Sequence, residues 1–174
     1  MVKAVLLTNK IALKWQSQCG RYTVFISDTC YNKMIEMANN YYPNEVGTSL
    51  VGNYSKDGFD AYVIDVAPVC PDSKSSATFF YRGVKGLCTF FIALWQKNSG
   101  EKYYIGEWHS HPDGAPEPSS TDSFNQEAIA VDKKINCPES ILLIIGGNIF
   151  IAPELRVFVY SRKRGRINLY RQVT

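Results

Sequence analysis

The sequence predicts an α/β fold of the α+β type: a mixed, mostly antiparallel curved sheet flanked by helices, in a single domain over residues 1–174. Three observations predict it. Short runs rich in β-branched and aromatic residues recur along the chain, bounded by turn residues. Longer runs carry apolar residues at helical spacing, with capping residues at their starts. The two kinds are interspersed, yet tight turns separate most neighbouring strand runs, which favours antiparallel pairing.

Val2–Leu7 and Tyr22–Ile26 read as strands. Ser27 is a good N-cap for a helix reaching about Tyr42, with apolar residues at 30, 31, 34, 35, 38, 41 and 42, and Pro43 ends it. Glu45–Tyr54 is the next strand, Ser55–Gly58 a hairpin turn, and Phe59–Ala67 the returning strand. Pro68–Ser76 is a loop, and Thr78–Arg82 a short further strand. Val84–Gln96 is apolar on most sides, which predicts a buried helix closed by Asn98-Ser99-Gly100. Tyr103–His111 is a strand, Pro112–Pro118 the loop leaving it, and a helix runs from Ser119 or Ser120 to about Lys134. Four strands finish the chain: Ile141–Ile145, Ile149–Ala152, Val157–Ser161 and Ile167–Tyr170.

A chain of 174 residues can bury one substantial core. No apolar run approaches membrane-span length, so no membrane partner is expected. The start, MVKAVLLTNKIALKW, lacks the pattern of a secretory signal, which makes the cytoplasm the expected compartment. Five cysteines without a C-x-x-C pair suit reduced, mostly buried thiols. From Arg156 onward there are six basic residues and no acidic one, whereas the rest of the chain is net acidic. Such a segment can bind nucleic acid or an acidic protein; the alternative, favoured here, is a solvated hairpin turn at SRKRGR.

The chemistry concentrates in Gly106–Asp122, GEWHSHPDGAPEPSSTD, which holds both histidines of the chain. Strand residues two apart share a face, so His109 and His111 project side by side while Trp108 and Ser110 turn into packing. Pro112 ends the strand and leaves both imidazoles near a sheet end. Asp122, in the first turn of the following helix, adds a carboxylate. Two histidines and one carboxylate are the three protein ligands of a catalytic zinc whose fourth position holds water. Such an ion lowers the pKa of water from about 15.7 to about 7. The same ligand set also describes non-haem iron oxygenases. A hydrolytic site needs a general base as well. Glu45, between a helix end and a glycine-containing strand, is the candidate; it is otherwise an exposed loop carboxylate. Ser119 is either the N-cap of its helix or a donor to an oxyanion.

His109-Ser110-His111-Pro112, six residues, Ser119, two residues, Asp122 resembles the JAMM motif of the JAB1/MPN/Mov34 metalloproteases at every fixed position, and Glu45-Val46-Gly47 resembles that family's glutamate segment. The order of elements from about residue 22 to 160 is similar to the MPN domain, a cytidine-deaminase-like fold. The resemblance implies one catalytic zinc on His109, His111 and Asp122, a water held by the ion and Glu45, and Ser119 stabilising the tetrahedral intermediate. Within the family the chain is similar to bacterial stand-alone JAB proteins encoded beside ubiquitin-like E1 and E2 enzymes, and most to the deconjugating peptidases of CBASS anti-phage operons. That likeness implies a zinc-dependent isopeptidase acting on the extended C-terminal tail of a cGAS-like nucleotidyltransferase joined to its targets by an E1–E2-like conjugating enzyme. The tail is expected to pair with an exposed strand edge beside the zinc, between the loops Pro68–Ser76 and Asp113–Pro118. The alternatives are a RadC-like JAB protein with a DNA-linked role, suggested by the basic segment, and a non-catalytic scaffold for a ubiquitin-like partner.

Overall fold

Residues 11–173 are described in the computed structural model, with the side chains of Ile11 and Ala12 excepted; the expected Val2–Leu7 strand lies outside these residues. In chain order the elements are strands β1 (Ile11–Ser17) and β2 (Thr23–Ser27), helix α1 (Asp28–Tyr41), strands β3 (Gly47–Tyr54), β4 (Asp60–Val66), β5 (Lys74–Ser76) and β6 (Phe79–Tyr81), helix α2 (Leu87–Lys97), strand β7 (Tyr103–Ser110), helix α3 (Ser120–Val131), and strands β8 (Glu139–Asn148), β9 (Ala152–Ser161) and β10 (Gly165–Gln172).

The mixed sheet is present, but it is a closed barrel rather than an open curved sheet. Its strand order is β1-β10-β9-β8-β7-β3-β4-β2, returning to β1. The difference comes from β1, which the sequence reading leaves without a strand. It pairs antiparallel with β2 on one side and with β10 on the other, joining the two ends of the sheet. Only β2–β4 and β7–β8 are parallel, and each is reached through a crossover containing a helix, as parallel pairing requires. Closure removes every free edge from the main sheet. The unpaired edges among the described strands belong to the separate β5–β6 hairpin, whose first strand lies in the predicted Pro68–Ser76 loop.

Inward-facing strand residues fill the barrel, among them Val24, Ile26, Leu50, Ile105, Leu143 and Val159, and α1 adds Cys30, Met34 and Ala38 to the same cluster. Each large side chain buried there contributes about 1.5–3 kcal/mol. Ser27 caps α1 as predicted, accepting a hydrogen bond from the Cys30 amide at 3.2 Å. Helix α3 lies on the outer face of β8 and β9, where Ala130 meets Leu142, Ile144, Phe158 and Tyr160. A barrel that fills its own interior leaves later helices only its outside. That is why α2, expected to be buried, has no buried residue. It leans on β7 through Phe91 against Tyr104 and Trp95 against Tyr103.

The chain ends in three strands, not four. The apolar run Ile149–Ile151, expected to begin a strand, is the turn between β8 and β9; Ile149 packs inward while Phe150 and Ile151 stand exposed. The basic segment forms the β9–β10 turn and its flanks. Arg162 caps α3 there, donating from Nε to the Ala130 carbonyl at 2.8 Å. No helix among the described residues is long and apolar enough to cross a membrane.

Candidate metal centre

Two glycines let the central strand sit where it does. Gly106 on β7 has φ 148°, and a side chain there would overlap the Ile141 carbonyl of β8. Gly47 opens β3 opposite His109, where a Cβ would run into the Trp108 carbonyl and the His109 side chain. A register shift between Leu50 and Val51 interrupts the β3–β7 ladder at the same level. Ile105 and Trp108 consequently both face the core, while Glu107 and His109 share the other side of the strand.

His109 is the penultimate residue of β7 and His111 lies one residue beyond its end, although the His111 amide still donates to the Ile145 carbonyl at 2.7 Å. The two Nε2 atoms are 3.0 Å apart. Asp122 Oδ2 lies 3.5 Å from Nε2 of His109 and 3.8 Å from Nε2 of His111. The ligand atoms of the three residues all fall within 4.8 Å of one another. A tetrahedral ion with arms of about 2.0–2.1 Å spaces its ligand atoms by about 3.3 Å, so this set fits one divalent ion with small adjustments. The chemistry of the donors agrees. His111 Nδ1 lies 3.0 Å from the Ala115 carbonyl, which only accepts; Nδ1 therefore carries the proton and Nε2 presents its lone pair. Burial, followed by the nearby His109 charge, lowers the His111 pKa and keeps the ring in its neutral, ligating form.

Asp122 is held by a capping box at the start of α3. Ser119 donates to its Oδ2 from the amide at 2.8 Å and from the hydroxyl at 2.7 Å, while the Asp122 amide donates back to Ser119 Oγ at 3.1 Å. Burial alone would raise the Asp122 pKa, but the hydrogen bond and charge of His109 together with the Ser119 donors hold it well below the usual carboxylate range. Ser119→Ala in the metal-free protein is therefore expected to cost about 1 kcal/mol at neutral pH. Because the lost contacts favour the ionised carboxylate, the difference from wild type is full above the ordinary aspartate range, near 3.8, and shrinks as pH falls below it. Denaturant titrations of both proteins at neutral pH and near pH 3 check this; a difference that stays constant would sink it.

Glu45 lies between α1 and β3, half-buried, with its amide donating to the Ser76 carbonyl of β5 at 2.8 Å. The next residue, Val46, exchanges hydrogen bonds with Ser110. The turn after α1 is thereby fastened to the strand that carries His109. Burial raises the Glu45 pKa; the charge of His109 opposes this and that of Asp122 adds to it. All five residues singled out from the sequence thus meet at one end of the barrel.

The centre opens into a cleft of about 360 Å³ between the end of β6, the outer face of β7 and helix α3. His109 and Asp122 line one part; Arg82, Glu107, Asn125 and Gln126 supply further polar groups. The wall comes from residues 80–84, just after the Pro68–Ser76 loop, and no residue of Asp113–Pro118 lines the cleft. That second loop is instead tied down by Asp113 to Tyr42 at 2.8 Å and by Glu117 to Arg156 at 3.0 Å. Glu107 and Arg82 are absent from the sequence reading. Glu107 could have been found from its position two residues before His109, the spacing that puts both on one strand face.

The family described as prokaryotic homologs of the JAB domain matches residues 27–160. A protein of Enterobacter hormaechei named CD-NTase/cGAS isopeptidase is 35% identical over 134 residues, 77% of this chain and 73% of that one. A Vibrio cholerae protein of the same name is 38% identical over 52 residues, 30% of each chain. Among solved structures, a protein from Desulfitobacterium hafniense superposes with a TM-score of 0.58 at 23% identity, covering 84% of this chain and 88% of that one, a likeness of fold.

Proposed function

This chain belongs to the family of prokaryotic homologs of the JAB domain, and on that premise we propose that it is a zinc-dependent isopeptidase that frees the C-terminal tail of a cGAS-like nucleotidyltransferase from a protein to which it has been conjugated. The observation that carries the reading is the cluster of His109, His111 and Asp122 at the end of an open cleft, with Glu45 beside it. The name shared by the two bacterial relatives supports the substrate class. An E1–E2-like conjugating enzyme would form the bond that this chain cuts, in anti-phage defence and in the cytoplasm, where buried thiols such as Cys30 and Cys70 stay reduced.

Zinc held by these three side chains supplies a Lewis acid that makes water nucleophilic near neutral pH and polarises the scissile carbonyl. Glu45 takes a proton from the attacking water, and its raised pKa suits that task. As the carbon–nitrogen bond breaks, the same carboxyl returns the proton to the departing amine. Ser119 orients Asp122 through its hydroxyl, and the reading gives it a second task, donating to the carbonyl oxygen as charge develops there.

An extended tail has one place to add a strand. The barrel offers no edge, contrary to the expectation from sequence, whereas β6 is paired only to β5 among the described strands and borders the cleft. A tail laid along β6 would gain backbone hydrogen bonds and reach His109.

The test is direct. The C-terminal tail of a CD-NTase, fused to a reporter, is incubated with the zinc-loaded protein, with chelator-stripped protein and with stripped protein given zinc again. Cleavage at the junction that is lost on chelation and restored by zinc is expected. An intact junction in every arm would sink the substrate assignment, and cleavage by stripped protein would sink the metal dependence.

A further inference from the structure

Glu107 is a buried carboxylate on the face of β7 that also carries His109, and neither metal binding nor the hydrolytic step uses it. Its two oxygens are taken up by the Tyr104 hydroxyl at 2.8 Å, the Ser49 hydroxyl at 3.2 Å and, as an ion pair, Nε of Arg82 at 2.9 Å. A charge buried this well with three partners holds its arginine in one orientation. The backbone that bears the arginine is fixed as well. The Gly83 amide donates to Ser73 Oγ at 3.0 Å, and the amides of Val84 and Lys85 donate to the Asp72 carboxylate at 3.1 and 3.0 Å. Among the described residues the remaining acceptor recorded for the guanidinium is the Gly83 carbonyl, 3.3 Å from Nη1. Arg82 is partly open to solvent and lines the same cleft as His109 and Asp122. A planar fork with donors to spare, clamped at one edge and facing the cleft, is prepared to grip an acceptor on whatever occupies it.

The charges in the cleft say which acceptor. Glu107 already matches the Arg82 charge, and Asp122 and Glu45 place two more carboxylates nearby. A further carboxylate would be repelled, whereas a neutral peptide carbonyl accepts a hydrogen bond without adding charge. We infer that Arg82, oriented by Glu107 as its positioning residue, donates to a backbone carbonyl of the substrate tail and so holds the tail in the cleft. The inference rests on the peptidase reading above but not on the identity of the tail, because a backbone carbonyl is common to every sequence.

Three variants test it: Arg82→Ala, Arg82→Lys, and the double variant Arg82→Met with Glu107→Gln, which removes both charges and leaves no carboxylate buried alone. Metal content and melting temperature are recorded for each. On the tail fusion, loss of the guanidinium is expected to raise KM about 10- to 100-fold with kcat little changed, the mark of a contact made equally before and during reaction. Lysine recovers part of the loss. In the metal-loaded Glu45→Gln background, which binds without turnover, a fluorescent pool of unstructured random-sequence peptides should lose affinity to a similar degree. If wild type leaves the fusion intact while pool binding still falls with Arg82, the CD-NTase assignment fails and the Arg82 contact stands. Unchanged KM and pool binding in the double variant would overturn the inference. So would a fall in kcat alone, failure of the parent to bind the pool, or loss of metal or fold in the double variant.

Discussion

Replacing Glu45 with glutamine leaves one metal ion per chain in place and lowers turnover by about 10²–10⁴-fold, the range a general acid–base group supplies. Separation of the two effects is the point. Glu45 is not among the three residues whose donor atoms converge, so its loss opens no position in the ligand set. Glutamine keeps the size of the side chain and its hydrogen bonding but cannot carry a proton from water to an amine. Glu45 is positioned by backbone, through Ser76 on one side and the Val46–Ser110 pair on the other, and both remain in the variant. Metal analysis and steady-state turnover on the tail fusion check the outcome. Full turnover with glutamine at 45 would remove Glu45 from the mechanism, and loss of the ion would make it part of the metal's support.

The contrast between what the sequence reveals and what it hides follows from the range of the contacts. His109 and His111 are two residues apart and Ser119 and Asp122 three apart, so strand alternation and a helix's first turn already place each pair. The capping box and the paired Nε2 atoms are the structural form of those spacings. Glu45 lies far upstream and reaches the site through pairing of β3 with β7, which no local pattern encodes; its candidacy came from an accessible loop position and a family resemblance. Arg82 arrives on a hairpin clamped by Asp72 and Ser73, again a contact between distant segments. The barrel was missed for a related reason. Leu13 and Trp15 alternate with Lys14 and Gln16 in β1, but closure depends on β10, at the other end of the chain. Helix α2 shows the opposite error. Its composition is apolar enough for a core, yet the strands had already filled that core.

His109→Ala is expected to abolish metal binding and activity together, and so to separate the ion's contribution from that of the proton carrier. Removing a hydrogen bond that merely supports a ligand lowers metal affinity about 10–100-fold; removing a ligand atom must cost more, because two donors remain where a catalytic site uses three. Asp122 is affected at the same time. Its Oδ2 loses the neighbour 3.5 Å away whose hydrogen bond and charge help keep the carboxyl ionised, leaving the Ser119 donors to hold it. The fold should survive, since β7 stays paired to β3 and β8 through its backbone and Gly47 still faces the emptied position. Purified variant and wild type are compared by elemental analysis, by melting with and without added zinc, and on the tail fusion. Zinc should raise the melting temperature of wild type and leave that of His109→Ala unchanged, because an ion stabilises only a state that binds it. Stoichiometric zinc in the variant would show that His109 is no ligand. Iron in place of zinc in the wild-type protein would redirect the site toward oxidative chemistry, where Glu45 has no proton to move from water to an amine.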